Sequence, residues 1–171
     1  MAKLLLSNFL ALVLLVVPGI LAAQSAAEGA ERIIEVDVPA PSLVGNLLGT
    51  QGVQSAAVYL PPSYSNQPDH RFPVMYLLHG IFDDYDVWVE NFEVPTILDR
   101  MISSGDLPDM IVVMPNGGNR YGGGYYRNSP VSGNWADYIA SDLVRYVDEN
   151  WRTIGNPDSR AVVGHSMGGY G

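Results

Sequence analysis

The chain contains no cysteine. That excludes disulfides, a thiolate nucleophile, Cys-ligated zinc and a lipid-bearing cysteine, and it says nothing about the redox compartment. Basic residues are scarce: 9 Lys and Arg stand against 18 Asp and Glu, and Lys3 is the sole lysine. The formal net charge is −9. No cluster of Lys and Arg occurs, so no nucleic-acid partner is expected. There is also no Gly-Lys-Ser/Thr and no strand–G-x-G-x-x-G–helix, so a phosphate or dinucleotide cradle is not expected. Asp83, Asp84, Asp86 and Glu90 lack the glycine and spacing of a calcium loop and are expected to form a solvated loop face. No metal or organic cofactor is implied.

Long apolar runs are confined to the beginning of the chain. Lys3 is followed by the unbroken run Phe9 to Val17, the breaker Pro18-Gly19 and the small residues Leu21-Ala22-Ala23. Residues 1–23 are therefore expected to be a cleaved secretory signal peptide. The alternative is a retained anchor, but Ser7, Asn8, Pro18 and Gly19 interrupt it. Contact with a membrane is then transient, through the signal alone, and the protein is secreted or periplasmic. Residues 24–31 are a flexible leader, and residues 32–171 form the domain.

Within that domain, Arg32 to Val38 alternates as a strand does, and Pro39 and Pro41 end it. Ser55 to Leu60 is a second strand, stopped by Pro61-Pro62. The polar stretch Ser63 to Arg71 is expected to be a hairpin loop. Phe72 to Leu78 and Met110 to Met114 are continuous apolar runs of buried-strand type. Val94 to Ser104 suits a helix with Pro95 near its start and Gly105 as its cap, with Val94, Ile97, Leu98, Met101 and Ile102 on one face. Trp135 to Trp151 repeats apolar residues at helical spacing, with Asn134 as the expected N-cap. The later alternation of strand and helix predicts a mostly parallel sheet preceded by an antiparallel N-terminal hairpin, an α/β class.

Two stretches carry chemistry. In the first, Ala161 to Val163 enters Gly164-His165-Ser166-Met167-Gly168, a strand followed by G-x-S-x-G. That order is a nucleophile elbow, in which a tight strand-to-helix turn lifts Ser166 clear of the sheet and Gly164 and Gly168 supply the room. The N–H of Met167 then faces the oxyanion of an attacked ester. In the second, the strand Tyr76-Leu77-Leu78 ends in His79-Gly80, where the loop's backbone N–H at Ile81 supplies the other oxyanion donor. His79 is either a structural imidazole bonded within its loop or a substrate contact. Gly80, Trp88, Tyr125 and Tyr126 complete a possible substrate-facing set. The Gly- and Tyr-rich loop from Asn116 to Asn134 is either a mobile pocket wall or an ordinary surface loop with its tyrosines packed on the core. His165 is expected to point away from Ser166, and His70 lies in the early loop.

Val58-Tyr59-Leu60-Pro61-Pro62-Ser63-Tyr64, Tyr76-Leu77-Leu78-His79-Gly80, Pro115-Asn116-Gly117-Gly118, Asn128-Ser129-Pro130 and Gly164-His165-Ser166-Met167-Gly168-Gly169 together resemble the esterase D/antigen 85-type esterase family. That family includes S-formylglutathione hydrolases, feruloyl and acetylxylan esterases, and mycolyltransferases. The resemblance covers about Val36 to Gly171. It implies an α/β-hydrolase fold, Ser166 as nucleophile, and the N–H groups of Ile81 and Met167 as oxyanion hole. The implied activity is hydrolysis of a small-molecule, glycan or lipid ester through an acyl-enzyme. One alternative is acyl transfer to a sugar or lipid alcohol; another is a non-catalytic glycan- or cell-wall-binding protein. Gly168-Gly169 fits the esterases, whereas mycolyltransferases usually carry Ala at the first of these places. The family's acid and histidine come after the serine, so both are expected beyond residue 171. The chain is accordingly expected to be the N-terminal portion of a longer protein, ending just after the elbow, inactive and unstable alone.

Overall fold

A computed structural model describes residues 32–171; the expected signal peptide (1–23) and leader (24–31) lie outside the described residues. Five strands build the central sheet: β1 (Ile33–Pro39), β2 (Val53–Tyr59), β3 (Val74–Leu78), β4 (Ile111–Pro115) and β7 (Arg160–Gly164). Their order is β1-β2-β4-β3-β7. The short pair β5 (Asn128–Ser129) and β6 (Gly133–Asn134) stands apart as a two-stranded ribbon. β1 and β2 form the expected antiparallel hairpin, with Ile33 opposite Tyr59 and Pro39 opposite Val53. β3 is parallel to both β4 and β7.

The pleat sorts the apolar residues onto two faces. Ala56, Val58, Val74, Tyr76, Leu78, Ile111 and Val113 face one side. There they pack on Trp135, Tyr138, Leu143 and Val147, from a helical segment we call α2 (135–150). Ala57, Tyr59, Leu77, Val112 and Met114 face the other side and meet Leu98 of helix α1 (Val94–Ser104). Because both faces are covered, β3 and β4 are apolar along their whole length, as a two-sided sheet requires.

Helix α1 begins with Pro95 in its first turn and ends at Gly105, whose φ of 80° is left-handed. That conformation favours glycine and lets its N–H reach the carbonyls of Ile102 and Met101. Leu98 is buried, while Ile97 remains exposed at the margin of the expected apolar face. Helix α2 runs as an α-turn (Trp135–Asp137), a π segment (Tyr138–Leu143) and a further α-segment (Val144–Asn150).

Two expectations require correction. The 63–71 stretch is not a hairpin loop, because β2 and β3 are not neighbours: β4 lies between them. The stretch carries the chain across one strand position, and its exit is pinned where Phe72 bridges Thr153. Asn134 does not cap α2 with its side chain. The start of that helix is held by the Asn128 amide, which donates to Asp137 (2.9 Å) and accepts from the Asp137 N–H (3.2 Å).

Candidate active site

β3 and β7 end side by side, with Leu78 opposite Gly164. The turns leaving these two strands build the site. After β7 the chain reverses at Ser166, whose φ and ψ are 53° and −113°. A positive φ is costly for a residue with a Cβ, by about 1–3 kcal/mol, and is sustained only where the surroundings impose it. Here the bonds on either side impose it. The His165 N–H donates to Leu78 O (3.1 Å), and Ser166 O accepts from the N–H groups of Gly169 and Tyr170, each at 3.1 Å. Helix α3 (Met167–Tyr170) then leaves at once.

The turn closes because two positions carry no side chain. A Cβ on Gly164 would lie 2.2 Å from the carbonyl carbon and oxygen of Gly168, and one on Gly168 would lie 2.3 Å from Leu78 O. All these obstructing atoms are backbone, so no rotamer change relieves them. Met167 is buried beneath the turn, while Ser166 is exposed.

After β3, His79 is fully buried. Its Nε2 accepts from the Gly117 N–H at 2.7 Å. That donor fixes the tautomer: Nδ1 carries the proton and donates to Gly80 O at 2.7 Å. His79 thus clamps the loop after β3 to the loop after β4. Both nitrogens are used within the protein and the ring is fully buried, as a structural imidazole bonded within its loop would be. Gly80 rests directly on the elbow. A Cβ there would lie 2.9 Å from Asp83 Oδ2, 3.4 Å from His165 Nδ1 and 3.5 Å from Ser166 Cβ. Phe82, at φ 68°, donates its N–H to Gly122 O (2.9 Å) and anchors the loop. Among the described residues, the N–H groups of Ile81 and Met167 donate to no backbone carbonyl. These are the two donors expected from the sequence.

The aromatic residues divide. Tyr126 is buried, its hydroxyl donating to His79 O (3.3 Å) and its ring crossing His79 edge-on. Burial raises its pKa. It is part of the core and leaves the substrate-facing set. Tyr125 remains half exposed against Tyr170. Trp88 sits in a π turn (Val87–Asn91), between Phe92 at 5.6 Å and His165 at 6.4 Å. Its Nε1 is buried without a partner among the described residues. His70, in the 63–71 connection, meets Phe72 edge-on with ring centroids 4.6 Å apart.

The glycine-rich loop after β4 is packed. Side chains occupy the places where its Cβ atoms would be: Tyr126 at Gly117, Phe82 at Gly122, Met167 at Gly123 and Trp135 at Gly124. Glycine there makes room for neighbours, so the pocket-wall reading loses its mobile character. Among the described residues no group of three or more His, Asp or Glu side chains converges as a metal site, and no helix is long and apolar enough to cross a membrane. Desolvation first, and then the nearby charges of Asp84, Glu90 and Glu35, push the Asp86 carboxyl up from its ordinary value.

Several known proteins are similar to this chain. A family model described as "Putative esterase" matches residues 50–171. Esterase Rv1288 of Mycobacterium tuberculosis is 37% identical over 119 residues, covering 67% of this chain and 24% of that protein. An endo-1,4-beta-xylanase/feruloyl esterase of Xylanibacter ruminicola is 31% identical over 124 residues, covering 70% of this chain and 17% of that protein. Among solved structures, a ferulic acid esterase superposes with a TM-score of 0.70 at 27% identity, over 81% of this chain and 51% of the other. An S-formylglutathione hydrolase from Agrobacterium tumefaciens shares the fold with a TM-score of 0.60 at 19% identity, over 80% and 50% of the two chains. The chain thus spans a quarter or less of the curated relatives and about half of the solved ones. With the α/β-hydrolase sheet, the elbow and the family match in agreement, the chain belongs to the esterase family described as "Putative esterase".

Proposed function

We propose that this chain carries the nucleophile and oxyanion hole of a secreted serine esterase. The observation that carries the reading is the left-handed Ser166 at the end of β7, set beside the unengaged N–H groups of Ile81 and Met167. Ser166 Oγ attacks the ester carbonyl carbon, and its proton passes to a general base. The carbonyl oxygen becomes an oxyanion and accepts from Ile81 and Met167, each donor contributing about 10²–10³ in rate. Collapse of the tetrahedral intermediate breaks the bond to the alcohol oxygen, which takes the proton. Water then repeats the sequence on the acyl-enzyme and releases the acid.

The base and its acid partner are proposed to lie past Gly171 in the longer protein. The histidines within the chain support this: His79 uses both ring nitrogens, His70 meets Phe72 edge-on, and the His165 ring meets Trp88 edge-on. Carriage out of the cytoplasm rests on Lys3 and the apolar run Phe9 to Val17. An ester of an aromatic acid fits the relatives' names, and Phe82, Phe92 and Tyr125 are exposed aromatic side chains. Acyl transfer would use the same serine with an alcohol in place of water. The test is the full-length protein assayed on 4-nitrophenyl acetate, with and without Ser166→Ala. Loss of hydrolysis in the variant is expected; retention of the full rate would sink the proposal.

A further inference from the structure

Three consecutive peptide units carry the chain from β3 past the elbow: His79–Gly80, Gly80–Ile81 and Ile81–Phe82. Each has an anchor, and the anchors differ in kind. The carbonyl of the first unit accepts from the Tyr126 hydroxyl (3.3 Å), and the N–H of the third donates to Gly122 O (2.9 Å). Both partners belong to the loop after β4. The middle unit is held by an imidazole instead: Gly80 O accepts from His79 Nδ1–H at 2.7 Å. Gly80 O is the carbonyl of the same peptide unit as the Ile81 N–H, the proposed oxyanion donor.

That bond decides where the Ile81 N–H points. No peptide bond among the described residues is cis. The carbonyl and N–H of one trans unit share a plane and point in opposite directions. With Gly80 O turned toward the imidazole, the Ile81 N–H is turned away from it. The N–H follows a glycine that lies against the nucleophile, since a Cβ on Gly80 would stand 3.5 Å from Ser166 Cβ. A hydrogen bond at the carbonyl end also polarises the unit and strengthens the N–H as a donor at the other end.

The ring imposes this direction because it is itself fixed. His79 is fully buried, so water does not compete for Nδ1–H. The Gly117 N–H donates to Nε2 at 2.7 Å, which holds the ring plane and keeps the proton on Nδ1. In the opposite tautomer Nδ1 and Gly80 O would be two acceptors facing each other, and the peptide would have to rotate. We infer that His79 is a positioning residue for the oxyanion hole. Beyond clamping two loops, it acts through the Gly80–Ile81 peptide, aiming and polarising the Ile81 N–H. This rests on the esterase reading, and the experiment separates the two.

Two substitutions divide the two bonds of the ring. In His79→Asn the shorter amide takes the place of Nδ1 and donates to Gly80 O, while the Gly117 N–H loses its acceptor. In His79→Gln the longer amide takes the place of Nε2 and accepts from Gly117, while Gly80 O loses its donor. Full-length wild type, both variants and Ser166→Ala are compared on 4-nitrophenyl acetate, with amide exchange at Gly117 and Tm measured alongside. Acylation and deacylation both pass through an oxyanion, so kcat reports the donor whichever step is slower.

His79→Gln should keep slow exchange at Gly117 yet lose about 30-fold in kcat, short of the 10²–10³ that deleting an oxyanion donor costs. KM should stay unchanged, as for an interaction made in the transition state alone. His79→Asn should exchange faster at Gly117 and recover most of that kcat. Equal losses of kcat in the two variants, or losses that follow exchange at Gly117, overturn the assignment and leave His79 a structural clamp. A wild type with no hydrolysis that Ser166→Ala removes brings down the esterase reading, and this assignment with it.

Discussion

Gly168→Ala tests how tightly the elbow is bound to β3. The added methyl would lie 2.3 Å from Leu78 O and 2.7 Å from the Leu78 carbonyl carbon and Cβ, whereas real Cβ atoms essentially never approach within 3.0 Å. Helix α3 must therefore withdraw by about 0.7 Å, and because the obstacle is backbone no side-chain rotation absorbs it. Overpacking of this kind costs about 1–3 kcal/mol in stability. The same retreat carries Met167 N–H away from the proposed oxyanion position. A displacement approaching 1 Å in a catalytic donor costs up to about 10²-fold in rate. Gly169→Ala is the internal control: its Cβ would lie 3.1 Å from Gly164 O, a contact that a few tenths of an ångström relieves. Thermal unfolding and 4-nitrophenyl acetate kinetics on the full-length protein read both effects. We expect Gly168→Ala to lose about 100-fold in kcat and Gly169→Ala to lose far less. Wild-type kcat and Tm in Gly168→Ala would refute the reasoning.

The same geometry sets three further outcomes. Ser166→Gly should be more stable than Ser166→Ala by about 1 kcal/mol, since glycine adopts φ 53° without steric cost; chemical denaturation checks this, and equal stabilities would contradict a strained turn. His79→Phe leaves the buried Gly117 N–H without its acceptor and should destabilise by about 1–3 kcal/mol, while hydrogen exchange at Gly117 should accelerate; unchanged exchange would count against the clamp. Asp86 titrates higher in the folded chain than in the unfolded one, so folded Asp86 binds its proton more readily and stability declines as pH rises from the ordinary carboxylate range through that raised value. Asp86→Asn should therefore raise Tm at neutral pH and low salt and lose that advantage at acid pH; a gain independent of pH would point to another cause.

Much of the fold is written locally. The apolar runs of β3 and β4, the breakers that end them, and Pro95 and Gly105 around α1 are signals within a few residues of the structure they specify. The elbow is legible for the same reason, because its close approaches join Gly164 to Gly168, four positions apart. The features that escaped the sequence are nonlocal. Whether the 63–71 stretch turns back or crosses over depends on β4, which lies forty residues later and takes the place beside β2. The role of His79 depends on Gly117, 38 positions away. Tyr126 looks like a pocket tyrosine until its ring is seen filling the space beside Gly117. A run of glycines can signal mobility or room for neighbours, and only the packed partners Phe82, Met167 and Trp135 decide between them. One signal was available: glycines interleaved with bulky aromatic residues fit close approach at least as well as flexibility.

The most direct test of Ser166 as the nucleophile is covalent trapping. Full-length protein is treated with a fluorophosphonate, which phosphonylates activated serines, and the modified peptide is located by mass spectrometry. The expected result is one adduct on the peptide containing Ser166, parallel loss of ester hydrolysis, and no adduct in Ser166→Ala. An adduct on a different residue, or complete inactivation with Ser166 unmodified, would contradict it.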